Sequence, residues 1–204
     1  MSFYGFVRGA VKAVCNILFR IKIEGLENLP ENGAYVVCAN HKSNFDPPML
    51  GSCMPVPLRF MAKEELFKNK LVGGLLNSVG AFPIKRGKSD VGALRAAMKM
   101  LAAGENVAVF PEGSRSKNGH LKKGKPGAAL IAVKAGVNIL PVGIDGSYKP
   151  FSKITVRIGK VIPLENYFDE KIDSETLQAI TDESIMPAIS QLSGVPTYEN
   201  RDCR

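Results

Sequence analysis

The sequence is poor in the residues that bind metal ions. Its 204 residues include only two histidines and four cysteines, which are Cys15, Cys38, Cys53 and Cys203. No two of these cysteines form a C-x-x-C pair, so a zinc site is not expected. No other metal ion and no cofactor is predicted. Reduced thiols in a cytosolic setting are the default for such cysteines.

Long hydrophobic runs are absent as well. The longest charge-free run covers residues 71–84 and is shorter than the roughly 18 to 20 apolar residues that cross a bilayer. Arg8 and Lys12 interrupt the first apolar stretch, and no small-residue cleavage site follows it, so a secretory signal is not expected. The sequence therefore predicts a protein that has no transmembrane span and stays on the cytoplasmic side.

Two motifs of common enzyme classes are missing. No G-x-S-x-G nucleophile elbow occurs, and Ser114 lacks the second glycine of that motif. Residues 119–126 copy the spacing of an NTPase phosphate loop, but Pro126 replaces the Ser or Thr that would bind magnesium. Cys38 lies in an apolar stretch, which favours an inert buried thiol. These features disfavour NTPases and enzymes with a covalent nucleophile.

Positive charge is in excess. The chain has 27 Lys and Arg against 19 Asp and Glu, a net charge of +8. Such a surface favours anionic partners, among them phospholipid head groups, nucleic acid, phosphorylated substrates and acidic carrier proteins. The length fits one domain with a substantial core.

Short apolar runs alternate with segments of helical periodicity. The predicted strands cover residues 34–39, 58–61, 106–110, 138–143 and 154–158, the last of them nearer the sheet edge. The predicted helices cover residues 64–78, a segment from Ser89 to Gly104, another from Pro126 to about Gly136, and a last one that Ser174 caps and Pro187 kinks or stops. This alternation predicts an α/β fold, with a mainly parallel central sheet flanked by helices.

The first twenty residues carry an amphipathic pattern. Apolar residues recur at spacings of three and four from Phe3 to Ile21, which predicts an N-terminal helix within residues 1–23, ahead of a domain of residues 24–204. Phe3 and Phe6 beside Arg8 and Lys12 suit a membrane interface. The same apolar face suits docking on the domain core, so both interpretations stay open.

A histidine and an aspartate follow the first predicted buried strand. His41 comes just after residues 34–39, and Asp46 precedes Pro47 and Pro48 at a predicted helix start. Ligands collect at the carboxyl ends of strands in open α/β sheets. A neutral imidazole can accept a hydroxyl proton, and a carboxylate on its other nitrogen stabilises the imidazolium. The alternative is that Asp46 only caps the helix and His41 is a loop histidine.

Cationic loops follow other predicted strands. Residues 110–116 should open onto the same sheet edge, where Gly113 allows close backbone approach and Arg115 presents a planar fork suited to phosphate. Lys85 and Arg86 form a second cationic pair, and further lysines follow at positions 117, 122, 123 and 125. For each group alone the alternative is a solvated basic face.

Together these segments resemble the glycerolipid acyltransferase superfamily, specifically the bacterial 1-acyl-sn-glycerol-3-phosphate (lysophosphatidic acid) acyltransferases. His41 and Asp46 are similar to the family's His-x4-Asp block, and residues 80–87, 110–116 and 139–143 resemble its three later blocks. The resemblance spans about residues 24–162. Ser114 stands where the family most often has Thr, and the hydroxyl is retained.

The resemblance implies a glycerol-3-phosphate acyltransferase-like fold, a place in phospholipid biosynthesis and a set of roles. His41 is implied as the general base and Asp46 as its orienting carboxylate, with a glycerol phosphate site formed by Lys85, Arg86, Glu112, Gly113, Ser114 and Arg115. The implied reaction moves a fatty acyl group from acyl-CoA or acyl carrier protein to the hydroxyl of lysophosphatidate, giving phosphatidate without an acyl-enzyme. The implied location is the cytoplasmic face of the cell membrane, on an anionic surface, with the acidic carrier protein as a further partner.

Other functions remain as alternatives. The acceptor could be glycerol-3-phosphate or another lysolipid, and a thioesterase would result if water replaced the acceptor. A different class is a non-catalytic module that binds anionic membranes or nucleic acid. Nucleic acid is disfavoured, because few aromatic residues are interleaved with the basic ones.

Overall fold

The computed structural model describes residues 3–78, 80–84, 91–116, 118–168 and 171–197. The strands in these segments form one sheet in the order β1-β7-β6-β2-β5-β3-β4. Their bounds are β1 Arg20–Glu24, β2 Val36–Ala39, β3 Leu58–Lys63, β4 Phe82–Ile84, β5 Asn106–Val109, β6 Ile139–Gly146 and β7 Lys153–Ile158. Neighbouring strands pair in parallel except β6 and β7, which are antiparallel. The predicted α/β class with a mainly parallel sheet is confirmed.

Helices cover both faces of the sheet. They are α1 Phe3–Leu18, α2 Asp46–Cys53, α3 Glu64–Phe67, α4 Lys70–Ser78, α5 Val91–Ala102, α6 Gly127–Ala135, α7 Ser174–Ala179 and α8 Met186–Ser193. Helices α1 and α2 contribute to the core on one face, and α5 to α8 contribute to the core on the other. None of the helices in the described segments is long and apolar enough to cross a membrane.

Strand β2 is apolar at every position because it is buried on both faces of the sheet. Val36 and Cys38 point into the core beneath α5 and α6, whereas Val37 and Ala39 point into the core beneath α1 and α2. Side chains alternate along a strand, so a strand covered on both faces must be apolar throughout. The buried position predicted for the Cys38 thiol is confirmed, and burial raises its pKa far above the ordinary range.

Two helix predictions were wrong in detail. Residues 64–78 form two helices, because the Asn69 side chain accepts a hydrogen bond from the Val72 backbone N–H at 3.1 Å and starts a new helix. The cap of α7 is Asp173, which accepts from the Thr176 backbone N–H at 2.7 Å, and not Ser174. The predicted ends at Gly104 and Gly136 agree with the structure, and Ser89 lies outside the described residues.

Pro187 does not end the last helix. A π-helical turn, Ile180–Ile185, joins α7 to α8, and Pro187 then lies in the first turn of α8. Pro187 has no N–H to donate to the preceding turn, and the change from π-helical to α-helical geometry falls directly before it. The chain therefore remains helical through Ser193.

Strand β1 was not predicted, although its sequence alternates between polar and apolar residues. It lies across the proposed boundary between residues 23 and 24, so the division into residues 1–23 and 24–204 stays a prediction. Strand β1 forms the sheet edge, and β7 lies next to it with Ile154, Thr155 and Val156 buried.

Candidate active site

The candidate site lies at the carboxyl edge of the central strands. Strands β6, β2 and β5 are neighbours, and Cys38 of β2 is in register with Val109 of β5. The loops after β2 and β5 therefore leave the sheet side by side. They carry His41 and Glu112, as expected from parallel strands that end at the same edge.

His41 and Asp46 are in direct contact. The Nδ1 atom of His41 lies 2.7 Å from Oδ2 of Asp46, and the imidazole stacks on the Phe110 ring at 4.2 Å between centroids. The His41 side chain is 12% exposed and that of Asp46 is fully buried. Because a carboxylate only accepts, the hydrogen bond puts the proton on Nδ1, and the Nε2 lone pair can accept another.

Asp46 does not cap helix α2, contrary to the sequence-based expectation. Its Oδ2 accepts from the backbone N–H groups of Lys42 at 2.7 Å and Ser43 at 2.6 Å, both of which precede it. Pro47 and Pro48 have no N–H to offer, and the Met49 N–H donates to the Phe45 carbonyl. The two prolines thus remove the usual donors of a cap, and the carboxylate turns back toward the His41 loop.

Glu112 joins the two loops. It is 3% exposed, and its Oε1 accepts from the His41 backbone N–H at 2.7 Å, while its Oε2 accepts from the Lys122 backbone N–H at 2.8 Å. The Ser116 N–H donates to the His41 carbonyl at 2.7 Å. Burial raises the pKa of the Glu112 carboxyl, although the two N–H groups act in the opposite direction. Both carboxyl oxygens are bound to backbone, so this side chain holds the backbone of His41.

We expect Glu112→Gln to weaken both the fold and the reaction. One end of the amide would present a donor to a backbone N–H, leaving a buried group without an acceptor, which costs about 1 to 3 kcal/mol. Misplacement of His41 should lower kcat by about 10- to 100-fold. Urea unfolding and turnover measure the two effects, with the exposed Glu183→Gln as control. An unchanged free energy of unfolding would contradict this role.

The remaining predicted residues lie in the loop after β5 or outside the described segments. Gly113 has a positive φ of 66°, and a β-carbon there would come within 3.2 Å of the Lys125 side chain. The Lys122 ammonium donates to the Ser114 hydroxyl at 2.8 Å, and Arg115 is exposed. Lys85 and Arg86 lie outside the described residues. The loop therefore presents a hydroxyl and several cations beside the His41 loop.

Two residues of the site were missed in the sequence. The Tyr148 hydroxyl donates to Oδ1 of Asp46 at 2.7 Å, and the two residues are 102 positions apart. The Lys42 ammonium donates to the carbonyls of Ile144 at 3.0 Å and Gly146 at 2.7 Å. Burial lowers the pKa of Lys42. Neither contact follows from a spacing rule, because both depend on how β6 lies beside β2.

Comparison with known proteins finds acyltransferases that are similar to this chain. A family model described as acyltransferase matches residues 20–145. A 1-acyl-sn-glycerol-3-phosphate acyltransferase of Bacillus subtilis is 32% identical over 145 residues, which is 70% of this chain and 71% of that protein. A chloroplastic 1-acyl-sn-glycerol-3-phosphate acyltransferase of Arabidopsis thaliana is 37% identical over 64% of this chain, and the match spans 37% of that longer protein.

A solved structure has the same fold. The crystal structure of the 1-acyl-sn-glycerophosphate (LPA) acyltransferase PlsC from Thermotoga maritima superposes with a TM-score of 0.69 at 26% identity, covering 93% of this chain and 81% of that one. The family match extends over more than half of the present sequence and includes His41, Asp46 and the loop after β5. The chain belongs to the acyltransferase family of enzymes.

Proposed function

We propose that the protein transfers a fatty acyl group from a thioester to the free hydroxyl of lysophosphatidate, giving phosphatidate. The observation that carries the proposal is the 2.7 Å contact between His41 Nδ1 and Asp46 Oδ2 at the carboxyl edge of the sheet. The names of the Bacillus and Arabidopsis relatives support lysophosphatidate as the acceptor. A hydroxyl acceptor requires a base, and the dyad supplies one.

In the proposed mechanism, His41 acts as a general base. Its Nε2 takes the proton of the acceptor hydroxyl while the oxygen attacks the thioester carbonyl carbon, and Asp46 stabilises the imidazolium. The tetrahedral intermediate then expels the thiolate, which receives the proton from His41 as the carbon–sulfur bond breaks. General-base catalysis contributes about 10²- to 10⁴-fold, so correct positioning of the two substrates supplies much of the remaining acceleration.

We place the acceptor phosphate against the loop after β5. Gly113 allows backbone approach, the Ser114 hydroxyl is oriented by Lys122, and Arg115 offers paired donors for phosphate oxygens. Lys85 and Arg86 remain in the proposal as the second cationic group. Glu112 positions the loops of this site and does not bind phosphate itself, because its carboxylate oxygens are bound to backbone N–H groups.

A matrix of donors and acceptors tests the proposal. Purified enzyme is incubated with acyl-CoA or acylated acyl carrier protein, and with lysophosphatidate, glycerol-3-phosphate, lysophosphatidylcholine or the unphosphorylated monoacylglycerol. We expect phosphatidate from lysophosphatidate in preference to the other products. Failure with every phosphorylated acceptor would overturn the roles given to Arg86 and Arg115. Preference for another acceptor would show that lysophosphatidate is not the natural acceptor.

We also propose that α1 holds the enzyme on an anionic membrane, at the cytoplasmic face. One side of α1 docks on the core through the buried Cys15, and the Arg8 guanidinium donates to the carbonyls of Met54 and Pro55. The other side leaves Phe6 67% exposed and Ile17 70% exposed. The docked and membrane-bound interpretations of α1 are thus compatible, because each uses a different side of the helix.

Two further exposed aromatic residues, Phe151 and Phe45, lie near the end of α1 and near the dyad, respectively. The Phe151 N–H donates to the Leu18 carbonyl at 2.6 Å, and the exposed Phe45 ring lies 5.8 Å from that of Tyr148, whose hydroxyl reaches Asp46. Both substrates carry acyl chains that partition into lipid. A membrane contact along this surface would therefore place them beside the reacting groups, and the net charge of +8 favours anionic lipid.

The double variant Phe6→Ser and Ile17→Ser should lose membrane affinity. Burying one such side chain contributes roughly 1.5 to 3 kcal/mol, so we expect binding to phosphatidylglycerol vesicles to weaken by about 10-fold or more. Vesicle sedimentation measures this effect. The control is Val91→Ser, at a 53% exposed position on α5, across the sheet. Unchanged sedimentation of the double variant would contradict the membrane role of α1.

A further inference from the structure

Tyr148 makes a contact with the dyad that the proposed mechanism does not use. It follows β6, and its hydroxyl donates at 2.7 Å to Oδ1 of Asp46. The other carboxylate oxygen, Oδ2, faces Nδ1 of His41. Oδ1 of this buried carboxylate thus accepts from Tyr148, and Oδ2 accepts from the His41 imidazole and from the backbone N–H groups of Lys42 and Ser43.

The Tyr148 ring is held on several sides. The Phe19 ring meets it edge-on at 5.6 Å and an interplanar angle of 83°, the Phe45 ring lies at 5.8 Å, and the Lys42 ammonium lies 5.8 Å from its centroid. Lys42 also bonds to the carbonyls of β6, which fixes the start of the Tyr148 segment against the His41 loop. Burial, together with the negative charge of Asp46, raises the pKa of Tyr148 far above neutrality. The hydroxyl therefore remains a donor.

We propose that Tyr148 is a positioning residue for the His41–Asp46 dyad: by binding Oδ1, it holds the carboxylate with Oδ2 directed at His41. Asp46 has no exposed surface, so loss of this donor leaves Oδ1 buried without a partner. The Lys42 and Ser43 N–H groups still hold Oδ2, but without a partner on Oδ1 the carboxylate can tilt about its terminal torsion, which is a soft coordinate, and lose its alignment with Nδ1 of His41. Tyr148 acts through Asp46 and not on the substrate, and this inference rests on the proposed general-base role of His41.

The first test is Tyr148→Phe, which keeps the ring and removes the hydroxyl. We expect kcat to fall by about 10-fold, in line with the loss of a hydrogen bond to a charged group, with KM nearly unchanged. The matched control is Tyr35→Phe, because the buried Tyr35 hydroxyl has no hydrogen-bond partner among the described residues. That control should retain wild-type kcat. A second variant, Tyr148→Leu, keeps an apolar side chain that has no donor and should show at least the same loss.

A double-mutant cycle separates this role from a general structural one. If Tyr148 acts through Asp46, Tyr148→Phe should cause no further loss in an Asp46→Asn background. Wild-type kcat in a folded Tyr148→Phe or Tyr148→Leu variant would overturn the inference, as would a raised KM with unchanged kcat or full additivity in the cycle. The His41→Ala variant distinguishes failure of the proposed mechanism from failure of the inference about Tyr148. If that variant is active, the proposed mechanism fails; if it is inactive while Tyr148→Phe is normal, only the inference about Tyr148 fails.

Discussion

Replacement of His41 by alanine is expected to lower turnover by about 10²- to 10⁴-fold, the usual contribution of a general base. The imidazole is the group at this sheet edge that can take the hydroxyl proton, and its Nδ1 is bound to Asp46 at 2.7 Å. Steady-state assays with acyl-CoA and lysophosphatidate measure the loss. The fold should persist, because Asp46 Oδ2 keeps the N–H donors of Lys42 and Ser43.

His120→Ala is the matched control for this experiment. His120 is the second histidine of the chain, and the contact that it makes with Ser116 uses its backbone carbonyl. It should keep normal turnover. Near-normal turnover in folded His41→Ala would contradict the mechanism.

A non-catalytic membrane-binding protein would give a different result. Neither the wild type nor His41→Ala would transfer an acyl group, and the affinity for membranes would survive His41→Ala but fall with salt.

Asp46→Asn is expected to lower kcat by about 10³-fold or more while leaving the fold intact. The amide oxygen can take the place of Oδ2 and accept from His41, Lys42 and Ser43, with the amide nitrogen facing the Tyr148 hydroxyl. Geometry is then kept and only the negative charge is lost. The imidazolium that forms during proton transfer loses its counter-charge at 2.7 Å.

The same experiment separates a catalytic role of Asp46 from a purely structural one. Asp182→Asn, on the π-helical turn, serves as a control for loss of a carboxylate elsewhere and should keep normal kcat. A large fall in kcat with an unchanged melting temperature supports the catalytic role. A lower melting temperature with unchanged kcat would instead indicate that Asp46 has a structural role only.

Much of the fold could be predicted from local patterns. The unbroken apolar run at residues 34–39 indicated a strand covered on both faces, and Gly136 marked the end of α6. Strand β1 was missed because the strong helical periodicity of residues 3–21 extends into it. Its alternating sequence indicates a strand only once its pairing with β7 is known.

Contacts between residues that are close in sequence could be predicted, whereas contacts between residues that are far apart in sequence could not. His41 and Asp46 are five positions apart, and the loop after β5 has a recognisable sequence. The sequence Asp46-Pro47-Pro48 is typical of a capped helix start, and the structure shows instead that the Asp46 carboxylate accepts from Lys42 and Ser43. Tyr148 reaches Asp46 from 102 positions away, and Glu112 bonds to the His41 backbone from 71 positions away. Such contacts depend on strand order, which no spacing in the sequence reports.

The most direct test of the proposed function follows thiol release from acyl-CoA and phosphatidate formation in one reaction, with and without lysophosphatidate. Direct transfer by the His41–Asp46 dyad predicts that thiol release requires lysophosphatidate and equals phosphatidate formed, with no burst before the acceptor is added. Equal thiol release in its absence would show a thioesterase, and a stoichiometric burst would show an acyl-enzyme. Either result would contradict the proposed mechanism.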